Sequence, residues 1–370
     1  MFKIQYLIYI YIALCACMMI FNIIYILYYK SSERFYENEN HGISKRINKQ
    51  FNLLKNNEKV TTSHMKYLYI MLRGTSNLLL FEQCIDKQDK KLVQKYLDSV
   101  QYVFYELASY YQKNDSMKKA YFAYIIGKYE ISKNIKDNVV KNNLYMFLED
   151  ESVYCRDYSL KTLVKIGDSY DIIKALKKIG ETKYHYYPEM ILEDLKQYQG
   201  DMSQLTKKMW DEFSEFGENI QIAIIKYITE EQLDYSEEFY KLLIGEQTNS
   251  KIKIELIKYY SENIYEQVKE ILIQNLNLTG IENKEIIIES AKALQKYGGR
   301  DTKEALKILL KRRDWDIRMV ASESLILIGT SYYELADIYN GEDEIAREIL
   351  KYKVQSHKYK LTSRKEVEVS

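Results

Sequence analysis

The amino-acid sequence predicts an all-α fold, an α-solenoid of stacked helical hairpins with an N-terminal transmembrane helix. The stretch Arg318–Gly329 recurs 162 residues upstream as Arg156–Gly167. Four weaker copies divide that interval into five steps of about 32 residues, a period typical of stacked helical hairpins. One proline and thirteen glycines in 370 residues leave few helix breakers. Near the N-terminus, Ile4–Tyr29 contains no charged residue, which is typical of a membrane span.

Residues 1–30 are predicted to form a membrane anchor. As a helix rising about 1.5 Å per residue, Ile4–Tyr29 extends roughly 39 Å, and the hydrocarbon core of a bilayer is about 30 Å thick. Tyrosines lie near both ends, where their rings favour the membrane interfaces. Lys3 alone precedes the span, whereas five cations follow it within about 20 residues. This asymmetry predicts a single-pass protein of the cell membrane with cytoplasmic repeats.

Cleavable leaders are the alternatives to a membrane span. The apolar run is longer than the 7–15 apolar residues of a signal peptide, and no small-residue cleavage site follows it. Leu14–Cys17 faintly resembles a lipoprotein cleavage box, but Met18–Leu27 stays apolar beyond it. Only Cys84 and Cys155 lie outside the span, too few for a secreted disulfide framework. The sequence therefore favours an uncleaved span.

Residues 31–59 are predicted to contain a polar linker, Ser31–His41, followed by a basic amphipathic helix, Ile43–Lys55. The apolar face of this helix carries four residues at helical spacing, and its cations lie largely elsewhere: Ile43, Ile47, Phe51 and Leu54. Two interpretations stay open. The helix either lies on the anionic leaflet or packs its apolar face on the helices that follow.

Residues 60–137 are predicted to form a helical cap or adaptor ahead of the repeats. Its third helix, Ser116–Ser132, places Ala120, Ala123 and Gly127 at helical spacing, so a neighbouring backbone is expected to approach closely. A terminal unit that covers the first repeat keeps a solenoid soluble.

Residues 138–355 are predicted to form the array, and residues 356–370 a polar tail. Glycines at the helix ends, among them Gly167 and Gly329, are expected where a positive φ is needed. The predicted helix pairs are 138–148 with 151–166, 169–180 with 187–199, 203–216 with 218–229, 235–244 with 249–261, 264–275 with 282–297, and 301–312 with 315–328.

Two copies of the repeated pattern resemble the second helix of a HEAT repeat. One copy has Asp314, Arg318, Leu325 and Gly329; the other has Arg156, Leu163 and Gly167. The resemblance implies that the arginines and the turn aspartate hold adjacent repeats together. Trp210 and Trp315 are interpreted as residues of the seams between helices.

With its span included, the chain resembles the membrane-anchored HEAT-repeat proteins of low-GC Gram-positive bacteria. Some of these are encoded beside a membrane glycosyltransferase. The resemblance implies a protein-binding scaffold, with an envelope enzyme such as that glycosyltransferase as the expected partner.

The distribution of charge bears on the class of partner. Residues 30–140 carry 19 Lys and Arg against 12 Asp and Glu, and residues 141–370 carry 34 against 41, so the repeats are acidic. An acidic array disfavours nucleic acid as a partner and favours a basic protein surface.

No motif indicates catalysis. The four histidines are scattered, with no HExxH spacing, and no P-loop, GxGxxG or GxSxG occurs. We therefore expect no catalytic residues, no cofactor and no metal site in a non-enzymatic scaffold. The alternative is a HEAT-type enzyme or enzyme accessory, similar to the phycobilin lyases or to a HEAT-like DNA glycosylase.

Overall fold

All regular secondary structure that the structure describes is helical, as predicted. The computed structural model describes residues 2–133 and 139–368, with the side chains at 11, 14, 17–26, 41–133 and 139–357. The chain divides into two compact units, Met1–Tyr184 and His185–Ser370.

The first unit contains eight helices within the described residues. Alternate helices pack side by side in this unit: α2 on α4, α3 on α5, α4 on α6 and α5 on α7. This is the packing order expected of an α-solenoid. The helices are α1 Phe2–Lys55, α2 Thr62–Met71, α3 Thr75–Ile85, α4 Lys90–Tyr111, α5 Ser116–Lys128, α6 Val139–Phe147, α7 Val153–Ile166 and α8 Ser169–Glu181.

Helix α1 is longer than the sequence analysis expected. It continues through Ser31–His41, the segment predicted to be a linker. That segment contains no proline and no glycine, so polarity alone does not end the helix.

The apolar face of Ile43–Lys55 is buried. Ile43, Ile47, Phe51 and Leu54 are all buried, and α1 packs on α3 and α4. Of the two interpretations left open, packing on the following helices is confirmed.

The predicted span, Ile4–Tyr29, is only partly described. Its described side chains, at 11, 14 and 17–26, are exposed. Among the described residues, no helix combines the length and the apolar character that crossing a membrane requires. The transmembrane helix stays a prediction.

The small residues of α5 do admit a neighbouring backbone, as predicted. Gly127 faces Thr162 of α7, and a Cβ added to the glycine would lie 3.3 Å from the Thr162 Cα. The Thr162 hydroxyl donates a hydrogen bond of 2.8 Å to the carbonyl oxygen of Ala123 on α5. The two helices therefore lock together through a hydroxyl that fits over a glycine.

The limit between the predicted cap and the predicted array falls at 137/138. Residues 134–138 lie outside the described residues, but the packing on either side of them follows one order. Helix α4 packs on α6, and α5 packs on α7. The helices of the predicted cap thus stack in the same alternating order as the first predicted hairpin.

The second unit repeats the hairpin arrangement. Alternate helices pack in succession, α9 on α11, then α13, α15, α17 and α19, and each from α11 onward also contacts the helix before it. These helices are α9 Pro188–Leu195, α10 Met202–Asp211, α11 Glu218–Glu230, α12 Ser236–Leu243, α13 Ser250–Glu262, α14 Lys269–Asn275, α15 Lys284–Ala293, α16 Arg300–Leu310, α17 Trp315–Leu327, α18 Ala336–Tyr339 and α19 Glu344–Glu368.

The C-terminal hairpin of this unit was not predicted. Helices α18 and α19 pack together, and the backbone of α19 remains helical to Glu368. The described part of the predicted polar tail, 356–368, therefore continues a helix whose first turns belong to the packed array.

Candidate functional site

Arg156 closes the turn of its own hairpin. The residue is buried, and its Nη1 donates to the carbonyl oxygens of Asp150 at 2.9 Å and Glu151 at 3.0 Å. Its guanidinium also lies 4.8 Å from the ring centroid of Tyr184. These contacts give the arginine a structural role in the turn between α6 and α7.

Arg318 closes the corresponding turn and reaches the next hairpin. Its Nε and Nη2 donate to the carbonyl oxygens of Arg312 and Lys311, and its Nη1 lies 2.8 Å from Asp343 Oδ1. Asp343 immediately precedes α19. One side chain therefore joins the α16–α17 turn to the hairpin that follows.

Asp314 joins α17 to the hairpin before it. Its Oδ1 accepts from the backbone N–H groups of Asp316 and Ile317, as an N-cap does. Its Oδ2 lies 2.9 Å from Lys284 Nζ at the start of α15. The hydrogen bonds from Lys284 are the largest influence that lowers the pKa of Asp314.

Leu163 and Leu325 are fully buried core residues, but the two helix-end glycines differ. Gly329 has a φ of +77°, which favours glycine. Gly167 has a φ of −90°, so the expected positive φ is wrong at that position. There a Cβ would lie 2.5 Å from the Leu163 carbonyl oxygen and 2.7 Å from the Asp171 Cβ, so close packing requires the glycine.

The predicted positions are divided between the two units. Arg156, Leu163 and Gly167 belong to the first unit, whereas the corresponding residues around Asp314 and Arg318 belong to the second. Each set stabilises its own hairpin and the hairpin beside it.

Ion pairs between successive hairpins mark the repeat period. Their partners are 30 to 37 residues apart, close to the period of about 32 that the sequence predicts. The exposed pairs among them contribute little to stability. The inter-hairpin pairs include Lys119–Asp150, Lys226–Glu189, Lys251–Glu218, Lys269–Asp301, Lys284–Asp316, Lys303–Glu334 and Lys353–Glu323.

One inter-hairpin pair is buried. Lys141 Nζ lies 2.6 Å from Asp171 Oδ2, and the Tyr145 hydroxyl donates to Asp171 Oδ1 at 2.8 Å. Burial alone would raise the pKa of Asp171, but the bonds from Lys141, the Asp168 N–H and Tyr145 outweigh it and lower that pKa. Asp171 is thus held ionised where α6 and α8 meet.

A row of exposed apolar side chains follows the turn edge of the second unit. Ile281, Trp315 and Ile345 are 89%, 59% and 55% exposed, and each lies at or beside the start of the longer helix of its hairpin. We call these three residues the turn ridge. The prediction that Trp315 lies in a seam is therefore wrong. Trp210 does pack in one, with its ring centroid 5.5 Å from that of Phe239 on α12.

The rim of the turn ridge is acidic. The segments 281–285, 313–318 and 341–345 contain seven carboxylates and three cations, a formal charge of −4. The exposed carboxylates among them are Glu282, Glu285, Asp316, Glu342 and Glu344. An apolar row with an acidic border has the composition of a protein-binding surface.

The first unit contains a polar cavity of about 470 Å³ between α3, α4 and the end of α5. At its wall, Lys128 Nζ lies 2.7 Å from Asp86 Oδ2 and 2.6 Å from Glu82 Oε1. Tyr129 donates to Asp86 Oδ1 at 2.8 Å, and Tyr121 donates to Glu82 Oε2 at 2.6 Å. Lys128 and the tyrosine hydroxyls together supply donors to both carboxylates, so the network joins α3 to α5.

The described side chains provide no arrangement that indicates metal or thiol chemistry. Among them, no group of three His, Cys, Asp or Glu side chains could hold a metal ion. Burial raises the pKa of Cys155 to about 12, which keeps it a thiol at neutral pH.

The turn ridge and the cavity network were not predicted from the sequence. A signal existed for each. In three successive hairpins, an apolar residue stands beside a carboxylate at the start of the second helix, as in Ile281-Glu282 and Trp315-Asp316. Glu82 and Asp86 are four residues apart, on one face of α3.

Within each unit, the fold defines an all-α protein of stacked helical hairpins. No family model matches the chain, and no curated protein matches it. Among solved structures, the chain is similar to human deoxyhypusine hydroxylase in complex with glycerol, at 13% identity and a TM-score of 0.29. That match covers 80% of this chain and 96% of the other. Similarity at this level carries no argument about function.

Proposed function

We propose that this protein is a membrane-anchored scaffold whose HEAT-like repeats bind a partner protein. One observation carries the proposal. The described side chains at 17–26, ten consecutive residues of α1, are all exposed, and none of them is charged; only Asn22 and Tyr25 carry polar oxygen or nitrogen atoms. Ten helical residues cover nearly three turns, so this part of the helix has no charged side to leave in water. A helix that is apolar all round belongs in a bilayer or in the interior of an assembly.

The uncharged sequence around this segment favours the bilayer. The run extends over Ile4–Tyr29, about the length that a membrane requires. A helix that docks on another protein usually keeps a polar stripe toward solvent. Membrane insertion therefore accounts for the composition better than protein docking does.

Because α1 is continuous, its basic segment around Lys45 and Lys49 is better placed to face a protein partner than the lipid surface. Residues 30–45 remain helical and would separate Lys45 from the membrane end of the span by about 20 Å, even with a typical tilt of about 20°. Charges interact in physiological salt over about 8 Å. The exposed cations Lys45 and Lys49 would thus stand too far away to bind anionic lipid.

The repeats supply the binding part of the proposal. Stacked hairpins present long surfaces to a partner, and a tether raises the effective concentration toward membrane partners. An integral membrane enzyme of the envelope, such as a glycosyltransferase, is the partner that the HEAT-repeat resemblance implies.

Membrane fractionation with a matched control variant tests the anchor. Ile20 and Ile24 are exposed on α1, and Ile308 is equally exposed on α16 of the second unit. A lysine at the centre of a span costs about 2.5–3.5 kcal/mol of insertion free energy. We expect the variant Ile20→Lys with Ile24→Lys to leave the membrane pellet after alkaline carbonate extraction, whereas wild type and Ile308→Lys remain in it. Extraction of the wild-type chain by carbonate would contradict the anchor.

A further inference from the structure

We propose that the turn ridge binds an extended, basic segment of the partner protein, with one apolar side chain of that segment on each hairpin. This rests on the proposed scaffold function and names the surface and the chemistry of the segment that it takes. Four features support it: the alignment of the three residues, their exposure, the charge around them and their spacing.

Ion pairs on both sides of Trp315 place the three residues of the ridge on adjacent hairpins at one edge. Lys284, three residues after Ile281, lies 2.7 Å from Asp316, the residue after Trp315. Arg318, three residues after Trp315, lies 2.8 Å from Asp343, two residues before Ile345. The ridge is therefore held in register by these pairs.

The exposure of these side chains is costly unless something covers them. Ile281 is almost completely exposed, and more than half of Trp315 and Ile345 is exposed. Covering a large apolar side chain removes its area from water and stabilises the complex that covers it. A tryptophan at the centre of a row, between two aliphatic residues, is a frequent binding hot spot because its rigid ring buries a large area.

The charge around the ridge selects the occupant. The carboxylates Glu282, Glu342 and Glu344 are exposed beside the ridge, and the three turn segments carry a formal charge of −4. Basic side chains of a bound segment would lie between these carboxylates. Such complementarity raises the rate of association and excludes acidic competitors.

The spacing of the ridge fits an extended chain. Helices α15, α17 and α19 pack side by side, and packed helices lie about 8–10 Å apart. An extended chain in the polyproline II conformation has three residues per turn and rises about 3.1 Å per residue, so every third side chain returns to the same side after about 9 Å. A segment with an apolar residue at every third position and Lys or Arg between would place one apolar side chain on each hairpin.

Trp315 provides a direct assay. The chain contains two tryptophans, so Trp210→Phe leaves Trp315 as the only indole. The probe is a synthetic peptide in which a leucine followed by two lysines is repeated four times. It is added to the full chain, carrying Trp210→Phe, in a non-ionic detergent. We expect saturable binding with a blue shift of the indole emission, and weaker binding as salt is added.

Matched variants and control peptides test whether the turn ridge is the surface that binds the peptide. Replacing Ile281 or Ile345 by Ser should weaken binding about tenfold or more. Tyr333→Ser should change it less than about twofold, because Tyr333 is as exposed as Ile281 but lies on the opposite edge, beside the Lys303–Glu334 pair. A control peptide has the same composition with its leucines consecutive, and another has glutamate in place of lysine. Both should bind about tenfold more weakly or not at all.

Three results would overturn the proposal: unchanged affinity in both Ile→Ser variants, equal binding of the control peptide with consecutive leucines, or an equal loss in Tyr333→Ser. The peptide assay does not depend on membrane insertion. If the peptide does not bind but the wild-type chain stays in the carbonate-washed membrane pellet, only the proposal for the turn ridge is refuted. If carbonate extracts the wild-type chain, the anchor is refuted and the peptide result can still be interpreted.

Discussion

Replacing Gly127 by alanine should destabilise the first unit, although the same change usually stabilises a helix. An added Cβ would lie 3.2 Å from the Thr162 Cβ and 3.3 Å from its Cα, so α5 and α7 must separate or Thr162 must rotate. Overpacking of this kind costs about 1–3 kcal/mol. Rotation of Thr162 also breaks its hydrogen bond to the Ala123 carbonyl oxygen, which contributes about 1 kcal/mol. The gain in helix propensity offsets only about 1 kcal/mol.

The net loss is therefore about 1–3 kcal/mol, which lowers the Tm of a unit of this size by about 4–8 °C for a loss of about 2 kcal/mol. Thermal unfolding followed by circular dichroism measures it. Gly42→Ala is the matched control, because it lies in α1 of the same unit and its added Cβ meets nothing within 4 Å. That variant should be stabilised by about 0.5–1 kcal/mol.

A double mutant tests the cause. Thr162→Ala removes the hydroxyl that an alanine at 127 would strike, so the combined loss should be smaller than the sum of the two single losses by about 1 kcal/mol or more. Additive losses, or a Gly127→Ala variant that is stabilised as Gly42→Ala is, would refute the account of the α5–α7 contact.

The remaining predictions concern buried polar groups. Burial, aided by the charge of Arg46, lowers the pKa of His64 from 6.5 to about 4, so the unfolded chain binds the proton more tightly than the folded chain does. The free energy of unfolding should therefore fall by on the order of 2–3 kcal/mol as the pH drops from 6.5 to 4. In urea unfolding, His64→Gln should reduce this dependence of stability on pH. Lys141→Met leaves Asp171 buried without its cation and should lower the free energy of unfolding by about 3–5 kcal/mol. A second change, Asp171→Leu, should recover part of that stability. A Lys141→Met variant as stable as the wild type would contradict the buried pair. Arg318→Met should cost about 1.5–3 kcal/mol in the second unit and leave the thermal transition of the first unit unchanged.

Periodicity in the sequence was sufficient to predict most of the helices and five of the six predicted pairs, α6 with α7, α10 with α11, α12 with α13, α14 with α15 and α16 with α17. Apolar residues that recur at helical spacing, as in Ile43–Leu54, have to be buried somewhere, and turn residues mark where one helix ends. The same patterns do not distinguish a polar linker from a polar stretch of helix, because the composition of Ser31–His41 suits both. They also stopped short of the α18–α19 hairpin, whose first helix is a single turn, Ala336–Tyr339.

Contacts between distant residues account for what the sequence could not predict. Gly167 is needed because of Asp171, which packs beside it, and only the folded chain shows that approach. Trp315 was assigned to a seam because large aromatic residues are usually buried; its exposure depends on where the hairpin turn directs it. The turn ridge arises only when successive hairpins are stacked in register, which depends on pairs such as Lys284–Asp316.

The central claim is that the chain holds a partner protein at the membrane, and crosslinked co-purification from native membranes tests it most directly. The full chain is compared with a version that lacks residues 2–30, and with the full chain carrying Ile281→Ser and Ile345→Ser. The account predicts that the full chain brings down an integral membrane protein in a stoichiometric amount. Recovery of that protein should fall strongly in the other two preparations. Recovery of the full chain alone, or of the same partner in equal amount with all three, would contradict the account.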